Sequence, residues 1–144
     1  MTADVTIRIA RLDDAFEIAQ LSGQLGYPVN ADEMRIRLVH VLADDAQHVA
    51  VADRAGRLVG WISVVRRETI IEGTQHEIVG LVVDDGARRQ GVATALLRDA
   101  ETWIRTGGFD VVVRSNAVRP DSHALYLARG YHRTKTQHVY VKAL

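Results

Sequence analysis

Between the apolar run Ile78-Val79-Gly80-Leu81-Val82-Val83 and the pair Leu96-Leu97, the sequence places Asp84-Asp85-Gly86, then Arg88 and Arg89, then Gly91 and Ala93. A strand that passes through a tight loop into a helix presents backbone N–H groups without intrahelical partners, at the positive end of the helix dipole. Such a turn can hold an anion. Gly91 lets the backbone approach a ligand closely, Ala93 keeps the next turn small, and Arg88 and Arg89 add charge where a phosphate would sit. The same residues also suit a solvated surface loop, because charged turns before helices are common. The segment lacks the Gly-Lys-Ser/Thr of a P-loop and the G-x-G-x-x-G of a dinucleotide fingerprint.

Other reactive groups are sparse. The chain has no cysteine, which excludes a thiolate nucleophile, a cysteine metal site and a disulfide framework. Its six histidines show no ligand spacing, so no metal is expected. His76 and His123 are expected near a site, and His40, His48, His132 and His138 at the surface or half-buried. Trp61 and Tyr27 read as core or groove residues, and Arg66-Arg67-Glu68 as a solvated strand end.

The elements that must position the loop follow from periodicity. Residues 5 to 11 alternate at period two and predict a strand. Asp13 and Asp14 are expected to cap a helix with Ala15, Ile18, Leu21 and Leu25 on one face. The Gly26-Tyr27-Pro28 segment stops it. Asn30, with Glu33 three residues on, predicts a capping box and a second helix burying Met34, Leu38, Val41 and Leu42. Strands at 48 to 53 and 58 to 70 are joined by a four-residue turn as a hairpin. The next strand covers about 76 to 83. After the loop, a helix carries Ala93, Leu96, Leu97, Ala100 and Ile104 on its buried face, and 106 to 108 end it. A strand at 109 to 115, a short helix at 121 to 129 closed by Gly130 and an alternating strand at 138 to 144 complete the chain. The order β-α-α-β-β-β-α-β-α-β predicts an α/β fold, a mixed sheet with helices on its faces.

At 144 residues the chain is expected to form a single domain, 1 to 144. Lys+Arg and Asp+Glu both number 18, which argues against a nucleic-acid backbone or an anionic membrane as partner. The longest uninterrupted apolar run is about five residues, too short to span a bilayer. No basic region followed by an apolar stretch opens the sequence, so a cytoplasmic location is expected.

The pattern Arg88-x-x-Gly91-x-Ala93, preceded by an apolar strand and followed by Leu96-Leu97, resembles motif A of the GNAT acetyltransferases. Residues 124 to 131, Ala-Leu-Tyr-Leu-Ala-Arg-Gly-Tyr, resemble the family's short helix that ends in Tyr, a few residues, then Gly and an aromatic. The element order is also the GNAT order, a mostly antiparallel central sheet flanked by helices. The resemblance therefore covers essentially the whole chain. Within the family, the interval from Asn116 to Tyr126 is similar to that of small-amine acetyltransferases, including the aminoalkylphosphonate type.

The resemblance implies acetyl-CoA as co-substrate. Its pyrophosphate would lie on the backbone of Arg88, Arg89, Gln90, Gly91, Val92, Ala93 and Thr94, and its pantetheine arm along the backbone of Leu81, Val82 and Val83. The Leu81 amide is then the group expected to polarise the thioester carbonyl, a role that needs only a fixed N–H donor. Asn116 matches an Asn that contacts the pantetheine or the neighbouring helix. Tyr126 resembles the family's general acid, and a core tyrosine on an amphipathic helix is the alternative. Glu77 stands at the offset where some members carry their base; a carboxylate paired with an arginine, or a water chain in its place, is the alternative. Val79 occupies the position other members use. Tyr27 lies where the family builds the acceptor-side wall.

These readings lead to an N-acetyltransferase that moves an acetyl group to a primary amine of a small molecule by direct attack in a ternary complex. An acetyl-cysteine intermediate is excluded. A peptide or protein N-acetyltransferase and a non-catalytic acyl-CoA-binding module remain as alternatives. The alternating segment at 138 to 144 would create an exposed sheet edge, from which a homodimer is expected.

Overall fold

The computed structural model describes residues 4 to 105, 110 to 114 and 120 to 144. They fall into two compact units, residues 1 to 114 and 115 to 144.

The first unit is built on a five-stranded sheet of order β1-β2-β3-β4-β5. Its strands are β1 (Thr6–Ile9), β2 (Gln47–Arg54), β3 (Arg57–Thr69), β4 (Gly73–Val83) and β5 (Val111–Val113). Neighbours run antiparallel except β4 and β5, which are parallel. Parallel pairing needs a long crossover, supplied here by helix α3 (Val92–Arg105). Helices α1 (Ala15–Gln24) and α2 (Ala31–Leu42) connect β1 to β2. The α/β class, the mostly antiparallel sheet and the order of these elements agree with expectation.

Strand alternation divides the core in two. Val49 and Val51 of β2 join Ile18, Leu21, Met34 and Leu38 in one apolar cluster, together with Leu58 and Val82. Ala50 and Ala52, which point the other way, are fully buried outside that cluster, as are Ile62 and Val64 of β3. That second face receives α3, whose buried stripe is Val92, Leu96, Leu97, Ala100 and Ile104. Val92 thus takes the core position expected of Ala93, which is half-buried. Gly60 marks the closest approach on this side: a Cβ there would lie 2.8 Å from the Val82 carbonyl oxygen and 3.1 Å from Leu96 Cδ1.

Local signals explain most boundaries. Asn30 caps α2 by accepting a hydrogen bond from the Glu33 amide at 2.8 Å. The β2–β3 hairpin turns on Ala55 and Gly56, with φ of 51° and 88°, as the twist of a two-residue turn requires. Asp14 departs from expectation. It makes no side-chain cap for α1 but accepts from the Arg11 amide at 2.8 Å and from both terminal nitrogens of Arg8 at 2.9 Å. Burial opposes the Asp14 carboxylate, yet Arg8 and Arg11 outweigh it and hold its pKa below the ordinary carboxylate range. Arg8 also reaches Asp53 at 3.1 Å, tying β1 to the hairpin and to α1.

In the second unit, α4 (Pro120–Ala128) is followed by residues 131 to 144 without regular structure. The strand expected at 138 to 144 is not formed. Alternation supplies a pattern, but a strand exists only when its backbone is paired. Here Val139, Tyr140, Val141 and Leu144 all stand exposed. Among the described residues, no helix is long and apolar enough to cross a membrane.

Candidate functional site

The site begins with a one-residue irregularity in β4. Ser63 of β3 faces Gly80, but Val64 faces Ile78, so Val79 is an extra residue on β4. Such a bulge bends its strand and breaks the ladder locally. β5 pairs only with His76, Glu77 and Ile78. Past the bulge, therefore, among the described residues β4 is paired with β3 alone. Among the described residues, one edge of the backbone from Gly80 to Val83 has no neighbouring strand. Leu81, Val82 and Val83 lie on this open half. Trp61 covers Gly80: a Cβ at Gly80 would lie 2.6 Å and 2.7 Å from two atoms of the Trp61 ring.

The open half runs directly into the expected anion loop. The Asp84 amide donates to the Val59 carbonyl at 2.8 Å, and Asp85–Ala87 form a single 3-10 turn. Gln24, at the end of α1, fixes this turn by donating to Asp84 Oδ1 at 2.8 Å and accepting from the Asp85 amide at 3.0 Å. Arg89 and Gly91, three residues and one residue before α3 begins at Val92, both adopt positive φ, 61° and 82°. Alternating backbone hand turns successive N–H groups inward into an anion-binding concavity. The first-turn N–H groups of Val92, Ala93 and Thr94 lack intrahelical acceptors and add the helix dipole.

The side chains are less free than the sequence suggests. Arg88 is drawn to Asp85 at 2.9 Å, and Gln90 accepts from Arg54 at 2.7 Å. Arg89 is exposed.

In the paired half of β4, adjacent residues serve opposite faces. His76 is 2% exposed and meets Trp103 of α3 edge-on, with ring centroids 5.6 Å apart. Burial first, then the charge of Arg66, pushes its pKa below the ordinary imidazole value. Trp103 also stacks on His48 at 5.2 Å, and His48 Nε2 lies 2.7 Å from Asp99 Oδ2. These histidines belong to the packing of α3 on the sheet. His40, His132 and His138 are exposed and His123 half-buried. Among the described residues, no group of three or more His, Asp or Glu could hold a metal ion.

Glu77 faces the other way and is 8% exposed. Its Oε1 is shared by Arg67 of β3 at 3.2 Å and by Arg114, just past β5, in close contact. The sequence alternative of Glu77 paired with an arginine holds, and Arg67 is exposed as expected; the second partner, Arg114, was not legible because only strand register brings β3, β4 and the end of β5 together. Arg66 and Glu68 are exposed as expected.

Tyr126 lies in the second unit, half-buried on α4, and burial raises its phenol pKa above the ordinary value. Its helix ends in a Schellman motif: the Tyr131 amide donates to the Tyr126 carbonyl at 3.0 Å, and the Gly130 amide to Leu127 at 3.2 Å. Gly130 has φ of 89°. The Tyr126 and Tyr131 rings meet edge-on at 5.7 Å, the hydrophobic contact that accompanies this cap. The Gly-Tyr signature thus has a structural cause. It recurs at the end of α1, where the Tyr27 amide donates to Ser22 at 3.1 Å and Gly26 has φ of 96°. Tyr27 itself is exposed. Asn116 lies outside the described residues.

Comparison with known proteins agrees with this architecture. The model of the acetyltransferase (GNAT) family matches residues 12–131. The solved structure of AAC(6')-Iy in complex with the bisubstrate analog CoA-S-monomethyl-acetylneamine superposes with a TM-score of 0.86 at 19% identity, covering 99% of this chain and 100% of that one. The aminoglycoside 6'-N-acetyltransferase AAC(6')-IG from Acinetobacter haemolyticus gives 0.84 at 19% identity, covering 96% and 99%. A ribosomal-protein-alanine N-acetyltransferase from Brucella melitensis biovar Abortus 2308 gives 0.75 at 21%, covering 99% and 100%. No curated protein matches the chain. With a family model matching residues 12–131, the chain belongs to the acetyltransferase (GNAT) family.

Proposed function

We propose that the protein, as one domain over residues 1 to 144, transfers the acetyl group of acetyl-CoA to a primary amine of a small molecule. The observation that carries this reading is the open half of β4 leading without interruption into the Arg88 to Thr94 loop. The two parts suit the two ends of one ligand. The concave backbone of Arg88, Arg89, Gln90, Gly91, Val92, Ala93 and Thr94 receives the pyrophosphate, and the edge of Leu81, Val82 and Val83 pairs with the amide-bearing pantetheine arm. The Leu81 N–H polarises the thioester carbonyl where negative charge develops.

An amine attacks only when neutral, and a free alkylammonium has a pKa near 10, so a proton must leave before or during attack. Glu77 Oε1 is shared by two guanidiniums, so the carboxylate takes the proton through a relay water rather than by touching the ammonium. The phenol of Tyr126 returns a proton to the departing thiolate. Its raised pKa keeps it protonated, and so able to donate, to a higher pH than an ordinary tyrosine. Tyr126→Phe should reduce turnover about a hundredfold, within the usual range for losing a general acid, and leave acetyl-CoA affinity nearly intact. Unchanged turnover would remove the role. The exposed segment carrying Val139, Tyr140 and Val141 is proposed as the contact between copies in a homodimer, which a monomeric light-scattering mass would refute.

The reading is tested by following CoA thiol release from acetyl-CoA across a panel of polyamines, aminoglycosides, amino acids and peptides. Release with a small amine supports it. Release with peptides alone shifts the acceptor to a protein N-terminus or lysine, and binding without release leaves an acyl-CoA-binding module.

A further inference from the structure

Glu77 sits in register with Val65 on β3 and Val112 on β5. Arg67 and Arg114, each two residues further along their chains, therefore share its face of the sheet. This is the face on which Trp61 packs against the cluster formed with α1 and α2. Both guanidiniums converge on one oxygen, Oε1. The carboxylate side chain is 10% exposed, whereas those of Arg67 and Arg114 are 47% and 43% exposed. Each guanidinium carries five N–H donors in a fixed fork, and one shared oxygen engages only a small part of them. Two cations against one anion leave a net positive charge. The partly exposed donors beside Glu77 are fixed by a buried carboxylate rather than free to wander.

The distance along β4 gives the cluster a use. Glu77 precedes Leu81 by four residues, about 10–13 Å of bulged strand. An amine placed for attack beside Leu81 would thus reach the arginines with its far end. We propose that Arg67 and Arg114 form an oxyanion subsite for the acceptor, with Glu77 as the positioning residue that holds them. The acceptor is then a small amine bearing a carboxylate or phosphate at its other end. This proposal rests on the acetyltransferase reading and narrows it. A polycation such as an aminoglycoside, on which AAC(6')-IG acts by its name, would be repelled by the pair.

The test compares chain-length-matched acceptors on the intact protein: ω-amino carboxylates and aminoalkyl phosphates against amino alcohols. The expected kcat/KM preference for the anionic acceptors is about tenfold or more, the value of one charge-assisted hydrogen bond. In Arg67→Gln that ratio falls by about tenfold, and the change lies mainly in KM. Propyl phosphate, which carries the anion without the amine, should inhibit the wild-type protein competitively with the amine and not with acetyl-CoA. This measurement decides the matter even where the variant fails to fold. Equal use of neutral and anionic amines, a preference for polycations, or propyl phosphate competing only with acetyl-CoA would overturn the subsite while leaving the transferase intact. Failure of acetyl-CoA to bind would instead bring down the acetyltransferase reading itself.

Discussion

The two halves of β4 differ in sequence, largely polar up to Glu77 and apolar from Ile78 on, and in how they are paired. From His76 to Ile78 the strand is paired on both sides, with β3 and β5, with His76 against α3 and Glu77 between two arginines. After Val79 it keeps only β3, among the described residues, and ends in a loop whose amides turn inward. A single extra residue separates the doubly paired stretch from the half that, among the described residues, is paired with β3 alone. Backbone groups that stabilise the fold in one half are, in the proposed function, directed at the ligand in the other, and no reactive side chain is needed for the change.

The largest effect should come from abolishing the difference. Deleting Val79 restores continuous β3–β4 register without moving Gly80 to Val83 onto the other face, because these residues already pair with β3 in phase on their own side of the bulge. The circular dichroism spectrum should be retained, while turnover falls about a hundredfold, as expected when reacting groups are displaced by about an ångström. Retained turnover would show that the bulge is incidental. Next comes the loop. Gly91→Asp forces a side chain onto a backbone with φ of 82° and puts an anion where one should bind. Acetyl-CoA affinity measured by titration calorimetry should fall at least about tenfold.

Stability should respond at Gly60, which packs beneath the open half. Gly60→Ala places a Cβ 2.8 Å from the Val82 carbonyl oxygen, and overpacking of this kind costs about 1–3 kcal/mol in a denaturant titration. The smallest effect belongs to the paired half. His76 is held neutral by burial, with its pKa below the ordinary value. The unfolded chain binds a proton that the folded chain does not once pH drops below about 6.5, so stability falls with pH through that value. His76→Asn should flatten the decline of Tm between about pH 7 and about pH 5.5 relative to wild type. Parallel curves for the two proteins would assign the acid sensitivity elsewhere.

The sequence made the paired elements legible and hid the difference between them. Alternation at β1, the Asn30 cap, the hairpin around Ala55-Gly56 and the stripe of α3 all follow from local rules that the tertiary structure respects. The bulge at Val79 was invisible, because a strand apolar on both faces carries no alternation for an inserted residue to interrupt. The Arg67, Glu77 and Arg114 cluster depends on register between three strands. Asp14 was misread as a helix cap because its partner, Arg8, arrives from β1. The segment at 138 to 144 failed in the opposite sense: its pattern was clear, but pattern alone provides no neighbour to pair with. At α4, the Gly-Tyr signature marked a helix end correctly, and the same signature at Gly26-Tyr27 shows that a Schellman cap is enough to explain the Gly-Tyr pair. Tyr126 as an acid must therefore be judged by its own substitution.

The most direct measurement is backbone hydrogen exchange of the protein with and without acetyl-CoA. Amides of residues 76 to 78 should be protected in both states, because they lie in the doubly paired half. Those of 80 to 83 and 88 to 94 should gain protection only when acetyl-CoA is added. Protection confined to other regions, or none on addition of acetyl-CoA, would contradict the assignment of the open half of β4 and its loop as the donor site.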